Sequence, residues 1–494
     1  MGSGSAGHAG CHFAGAFALT EASDKLPLPT KILYGFGASA YGIKDNGFSV
    51  FLLYYYNQVV GMRADVVSLA IAIALFVDAF IDPLIGQMTD RTRTPIGRRH
   101  PWLYGAAFPI AIAWLLLWHP PETSATLQFF YLLTMAMLVR ITLSAYEVPS
   151  LALLPELSRD YHDRTSTLRY RTLFGWASGL GIMVFAYGVL LVPSEKYPVG
   201  MLNVDGYSTL AIVGACIMAF AVLLSAASTH KRMVDRYKAE SSPPKTAEGF
   251  SEMLSAFRFS PFLLLMFAGV FAFTNQGLLF AMTPYLLTHV WEFGSAEMTL
   301  YSAVLFIGVI LAFLLVTPIS KRTGKPKGAA LLTAFAVIVG TAPYWLRMVD
   351  LFPAPGSPNL IPVLFTFLVI NIAAGISAMI LTMSMMADVT DAYAFEVGKR
   401  TEGLFSSGMW FMQKMVGGMG ILLSGLIISF IQLPAQAVPG TVDPAIVDNL
   451  ALIFVSMVTA IGIAGTWAYT LFPLGEQDHS DRIAKLSASM PKVK

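Results

Sequence analysis

The stretch Asp65-VVSLAIAIALFVDAFIDPLIGQMT-Asp90 is apolar over more than the length a helix needs to cross a bilayer, yet carries Asp78 and Asp82 in its middle. Four residues apart, the two carboxylates stack on one face of a helix. A carboxylate at bilayer depth costs about 2.5–3.5 kcal/mol on insertion scales, so two at one depth imply a cation, a proton or a basic partner between them. Working outward, 494 residues that are 55% hydrophobic and only 13% charged belong to an integral membrane protein, because soluble chains carry about 25% charged residues. Mean hydropathy is +0.63. A net charge of +2 gives no reason to expect nucleic acid. Cys11 and Cys216 are too few and too distant for a disulfide or metal framework.

Apolar runs predict an all-α membrane protein of twelve spans, near 32–60, 65–89, 101–119, 124–155, 168–192, 207–229, 261–289, 297–319, 327–347, 359–386, 403–432 and 446–472. The first is the least regular, interrupted by Lys44, Asp45 and four glycines. Loops after even-numbered spans hold Arg91, Arg93, Arg98, Arg99, Arg159, Arg164, Lys231, Arg232, Lys321, Arg322, Lys325, Lys327, Lys399 and Arg400, against Arg63, Lys196 and Arg347 opposite. The positive-inside bias therefore predicts a multi-pass protein with both termini cytoplasmic.

The two halves repeat. Pro83-LIGQMTDRTRTPIGRR after the second span matches Pro318-ISKRTGKPKG after the eighth, and Arg164-Thr165 matches Arg400-Thr401 at nearly the same offset. This predicts two six-helix units, 31–229 and 261–473, related by an axis along the membrane normal. They are joined by a polar linker, 230–260, and flanked by cytoplasmic tails at 1–30 and 474–494.

Five motifs carry a resemblance: YGFGASAYG with LLYYYNQVVG in the first span, VDAFIDPLIGQMTDRTRTPIGRRHPW, EVPSLALLPELSRDYHDRT, and MMADVTDAYAFEVGKRTEGLFSS with Lys414 behind it. Together they resemble the glycoside-pentoside-hexuronide:cation symporters, whose best-known member is the melibiose permease. The resemblance implies the major facilitator fold and cation-coupled import with Na+ or H+ as coupling ion, no other cofactor, and a monomer as the working unit. Asp78 and Asp82 match the two cation-binding carboxylates of the second span. Glu147 stands where the melibiose branch has an aspartate serving cation and sugar together, and Ser144 where a threonine completes the cation site. Lys414 matches a lysine placed near the carboxylates. Asp45 corresponds to a sugar-binding aspartate, displaced by about one turn.

Two departures stand out. Leu151 replaces a tryptophan that would stack on a sugar, and Arg140 enters the fourth span two turns before Glu147. The arginine implies either a rewired charge network or an anionic substrate. Sodium requires oxygen ligands, which Asp78, Asp82, Glu147 and Ser144 supply, but each carboxylate could instead take a proton. Tyr146, beside Glu147, and Trp176 are candidate solute contacts. Arg164, Arg171 and Arg400, with Asp388 and Asp391, are candidates for bridges across the halves that close one gate. The leading reading is cation-coupled symport of a sugar, glycoside or uronide; the alternatives are a carrier of an amphipathic, lipid-like solute and, more distantly, a membrane enzyme.

Overall fold

A computed structural model describes residues 25–158, 160–239, 258–397 and 402–473. Among them are eleven helices long and apolar enough to cross a membrane. A twelfth, α1 over 28–59, is broken at Gly37 and Ala38 and passes through two π-helical turns, Gly47–Phe51 and Tyr55–Val59. The others are α2 (Ala64–Arg91), α3 (His100–Leu117), α4 (Ala125–Leu157), α5 (Tyr161–Phe185), α6 (Val204–Ala239), α7 (Ser260–Tyr285), α8 (Ser295–Thr323), α9 (Lys325–Met348), α10 (Leu360–Val397), α11 (Glu402–Phe430) and α12 (Pro444–Thr470). They run up and down in turn, so both ends of the bundle lie on one side, and α1–α6 and α7–α12 form two pseudo-symmetric halves.

Two expected boundaries move. α6 continues ten residues into the expected linker, to Ala239, and α10 runs eleven residues beyond the apolar stretch, to Val397. Hydropathy marks where lipid ends, and a helix need not stop there. Residues 240–257 of the linker, the tails at 1–24 and 474–494, and Arg400 lie outside the described residues.

Large apolar side chains such as Phe108, Ile112, Phe313 and Leu314 remain exposed around the bundle, as lipid contact demands. Inside, close helix crossings depend on glycine. A Cβ on Gly42 of α1 would lie 2.0 Å from the Gly175 carbonyl of α5, and one on Gly277 of α7 would lie 2.4 Å from the Gly417 carbonyl of α11. These two crossings are counterparts, and they hold α1 and α7 against the wall of each half.

The halves meet most closely on the side away from the termini. There Gln58 Nε2 donates to the Pro434 carbonyl at 3.1 Å and Gln58 Oε1 accepts from Ala437 N at 3.0 Å. The Tyr285 hydroxyl donates to Asn57 Oδ1 at 3.1 Å, and Ser295 Oγ to the Leu191 carbonyl at 2.7 Å. On the terminus-bearing side the described ion pairs stay within each half. Arg98 and Arg99 bind Asp90 and Glu156, while Lys325 Nζ holds both oxygens of Asp388, at 2.6 and 2.8 Å. The described side-chain hydrogen bonds at the ends of the bundle therefore join the halves on the side away from the termini.

Candidate functional site

α2, α4 and α11 converge at mid-depth. Pro83 and Pro149 lie inside α2 and α4, and each removes one helix hydrogen bond close to an acid, Asp82 or Glu147. The α2 carboxylates face α4 on one side and α11 on the other. Arg140 Nη1 donates to Asp78 Oδ2 at 3.0 Å, and Ser144 Oγ donates to Asp78 Oδ1 at 3.1 Å. From the other half, Lys414 Nζ reaches Asp78 Oδ2 at 3.0 Å and Asp82 Oδ2 at 2.5 Å. Asp78 is 3% exposed and the Arg140 side chain 5%, whereas the Asp82 side chain is 29% exposed. Asp82 Oδ1 has no partner. Two carboxylates and two cations thus close a neutral network that crosses between the halves.

Glu147, expected to share this cation site, is engaged elsewhere. It lies about 60° around the helix from Ser144 but only about 20° from Arg140, two turns further along α4, and there it meets α5 where Arg140 meets α2. Its Oε1 is 2.6 Å from Arg171 Nη2, while its Oε2 is buried without a partner. Arg171 Nη1 also donates to Ser150 Oγ at 2.8 Å, and the guanidinium lies over the Tyr34 ring at 5.6 Å. The Tyr34 hydroxyl donates to the Ser150 carbonyl at 2.7 Å. This second network is contained in α1, α4 and α5. Arg171 was expected at a gate, but it lies ten residues past the start of α5, about 15 Å deep at the usual helical rise.

Other expected positions also separate. Tyr146 is fully buried, and its hydroxyl donates to Ser225 Oγ of α6 at 3.0 Å. That hydroxyl would be 1.8 Å from a Cβ on Gly37, so Tyr146 is seated against the break in α1 and packs helices together instead of lining a path. Arg164 caps α4, donating to the carbonyls of Ser158 at 2.7 Å and Pro155 at 3.3 Å. Asp388 pairs within its own half, and Asp391 is partly buried with no ion pair among the described residues. The expected bridges from Arg164 and Arg171 to Asp388 and Asp391 are therefore absent among the described residues. Asp45 is half-exposed beside Lys44 at 3.7 Å, and Trp176 is 48% exposed. Lys44 itself is buried over the Tyr41 ring at 4.5 Å.

Sequence reasoning passed over Phe48, whose ring lies 4.5 Å from the Arg140 guanidinium, and Tyr34 and Ser150 around Arg171. A charged residue in an apolar span signals that it has a partner. It does not name an aromatic one.

Fold and site define a multi-pass membrane carrier of the major facilitator type. The MFS/sugar transport protein family matches residues 33–476, and the chain belongs to the glycoside-pentoside-hexuronide:cation symporter family. It is similar to the isoprimeverose transporter of Lactiplantibacillus pentosus, 24% identical over 82% of this chain and 80% of that protein. It is also similar to the sodium-dependent lysophosphatidylcholine symporter 1 of Gallus gallus, 25% identical over 92% and 88%. Among solved structures, the inward-facing, unoccupied bacterial homolog of the human lysosomal transporter Spinster superposes with a TM-score of 0.63 at 14% identity, covering 95% of this chain and 100% of that one. The protein is a secondary transporter of a small-molecule solute.

Proposed function

We propose that the chain is a symporter that draws a saccharide or glycoside across the membrane with a cation, Na+ or H+, its termini lying in the bacterial cytoplasm. One observation carries this reading: Lys414 of α11 bridges Asp78 and Asp82 of α2, so the mid-depth charge network includes both halves. A carrier alternates by rocking one half against the other around its site. When Lys414 moves, it exposes two carboxylates that must recover positive charge, because uncompensated charge is costly at this depth. The cation that recharges them biases the equilibrium between the two states, which is how coupling arises. Asp45, Trp176, Glu147 and Lys414 are the residues assigned to the solute on this reading, and Ser144 orients Asp78. Membrane orientation rests on the basic surplus at the terminus-bearing ends, whereas Arg63, Lys196 and Arg347 opposite are each paired with an acid, at 2.7, 2.8 and 2.8 Å.

A second reading, transport of an amphipathic lipid-like solute, is favoured by the lysophosphatidylcholine symporter among the relatives. It is also favoured by the half-exposed Leu151, where a sugar-stacking tryptophan would serve a galactoside. Uptake into proteoliposomes over neutral glycosides, uronides, pentoses and a lysophospholipid, each with and without an imposed cation gradient, separates the two. Accumulation of a sugar driven by the gradient supports the first reading. Gradient-driven uptake of the lysophospholipid alone replaces it with the second, and no gradient dependence for any solute removes coupling.

A further inference from the structure

Taking the symporter reading as given, we infer that Arg140 is a resident cation at Asp78, filling the place of a coupling sodium ion, so that this carrier has no sodium site between α2 and α4. The oxygens are already committed. Asp78 Oδ2 accepts from Arg140 at 3.0 Å and faces Lys414 at 3.0 Å, Asp78 Oδ1 accepts from Ser144 at 3.1 Å, and Asp82 Oδ2 faces Lys414 at 2.5 Å. Of the two carboxylates, only Asp82 Oδ1 is unpartnered. Sodium is a hard ion that needs several oxygens at once.

The charge count points the same way. Asp78, Asp82 and Lys414 alone sum to −1, which one monovalent cation would cancel. With Arg140 the sum is zero while Lys414 is in place, and an added sodium ion would leave a buried excess of +1. Once Lys414 leaves, Arg140 still covers Asp78, and the remaining −1 falls on Asp82 alone, one carboxylate that a proton neutralises but that offers sodium too few oxygens. Lys44 of α1, also buried near this network, adds positive charge in the same direction, set against a half-exposed Asp45 at 3.7 Å. Lys414 can leave with the other half, but Arg140 cannot. It shares a half with Asp78, its side chain is 5% exposed, and its guanidinium lies 4.5 Å from the Phe48 ring. An arginine does not lose its proton in a protein, so its charge is permanent.

The test uses the purified full-length chain, with sodium alone as ligand and no solute. Binding of radioactive sodium and thermal unfolding in NaCl against choline chloride of equal ionic strength are measured for wild type, Arg140→Lys, Arg140→Gln and the double variant Arg140→Gln/Asp78→Asn. Wild type and Arg140→Lys are expected to unfold at one temperature in both salts and to bind no sodium saturably. Arg140→Gln is expected to gain sodium affinity of about tenfold or more, with a matching rise in unfolding temperature, and the double variant to lose both. Arg140→Met gives the same readout if Arg140→Gln does not fold. Saturable sodium binding by wild type that Asp78→Asn removes overturns the inference, as does a folded neutral variant that gains none. Both outcomes are independent of whether coupled accumulation exists, which the uptake assays decide separately.

Discussion

Two buried charge networks lie at similar depth on α4, and they differ in what they connect. Arg140 and Ser144 belong to a network that crosses to Lys414 in the other half, whereas Glu147 and Ser150 belong to one confined to α1, α4 and α5. A bridge between bodies that move apart is remade in each cycle, while a bridge inside one body is held through it. On the proposed cycle, a buried carboxylate–cation pair therefore serves as a switch where the cation, Lys414, lies in the other half and as a fixture where it, Arg140 or Arg171, shares the half. Position relative to the moving boundary makes the difference.

The sharpest way to break this distinction is to neutralise the two acids of the crossing network separately. Asp78→Asn leaves Arg140 buried without its carboxylate, a loss of about 3–5 kcal/mol for a broken buried pair, so lower stability and abolished gradient-driven accumulation are expected together. Asp82→Asn removes a carboxylate that is 29% exposed, while Lys414 keeps Asp78. Here near-normal unfolding temperature with lost accumulation, and some solute exchange retained, is expected. If either variant accumulates solute like wild type, α2 does not carry coupling.

Glu147→Gln tests the confined network. Arg171 is then buried with only Ser150 and Tyr34, and destabilisation of about 3 kcal/mol is expected, near the lower end for a pair that Ser150 partly relieves. Because neither residue touches α11, solute affinity is expected to fall while the ion dependence of transport is kept. A variant that loses ion dependence as well joins the two networks into one and restores the shared cation site expected from the family resemblance.

Much of this arrangement was legible in the sequence. The spans follow from apolar runs, the duplication from repeated motifs, and Asp78 and Asp82 from charges placed in an apolar run, which cannot be explained without partners; Lys414 beside them was implied by the family resemblance. Which acid takes which base was not legible, since Arg140 and Glu147 lie seven residues apart on one helix, only about 20° around it, so their spacing gives both the same face and does not separate α2 from α5. Tyr146 misled for a related reason, because adjacency to Glu147 in sequence puts it about 100° away around the helix, against α6. The extensions of α6 and α10 were invisible to hydropathy, which reads the lipid and not the helix.

The crossing α1–α5 and its counterpart α7–α11 allow a finer comparison of the two halves. Gly42→Ala would place a Cβ at 2.0 Å from the Gly175 carbonyl, backbone that cannot swing aside, and Gly277→Ala one at 2.4 Å from the Gly417 carbonyl. Each must push its helices apart, and overpacking of this kind costs roughly 1–3 kcal/mol. α1 carries Lys44 and Asp45 beside the site, while α7 joins the other half on the side away from the termini through Tyr285. Gly42→Ala is therefore expected to weaken solute binding, and Gly277→Ala to loosen that junction and raise accessibility from the side away from the termini. Labelling of single cysteines placed on that side, in otherwise matched variants, reads the second effect, and equal labelling in both would show that the two crossings are mechanically interchangeable.

The smallest effect is expected at the terminus-bearing ends, where Lys325 binds Asp388 in one half and Arg98 and Arg99 bind Asp90 and Glu156 in the other. The Lys325 side chain is 33% exposed, and pairs of that kind contribute about 1 kcal/mol or less and weaken with salt. Lys325→Gln should therefore lower stability by no more than that, with the deficit shrinking as ionic strength rises. Arg99 is 8% exposed and shares two acids with Arg98, so Arg99→Gln should cost more and respond less to salt. Unfolding temperatures at low and high salt for both variants check the ranking. A larger and salt-independent loss at Lys325 would mean that Asp388 depends on it as Asp78 depends on Arg140, and the contrast between fixed and exposed pairs would then fail at this end of the molecule.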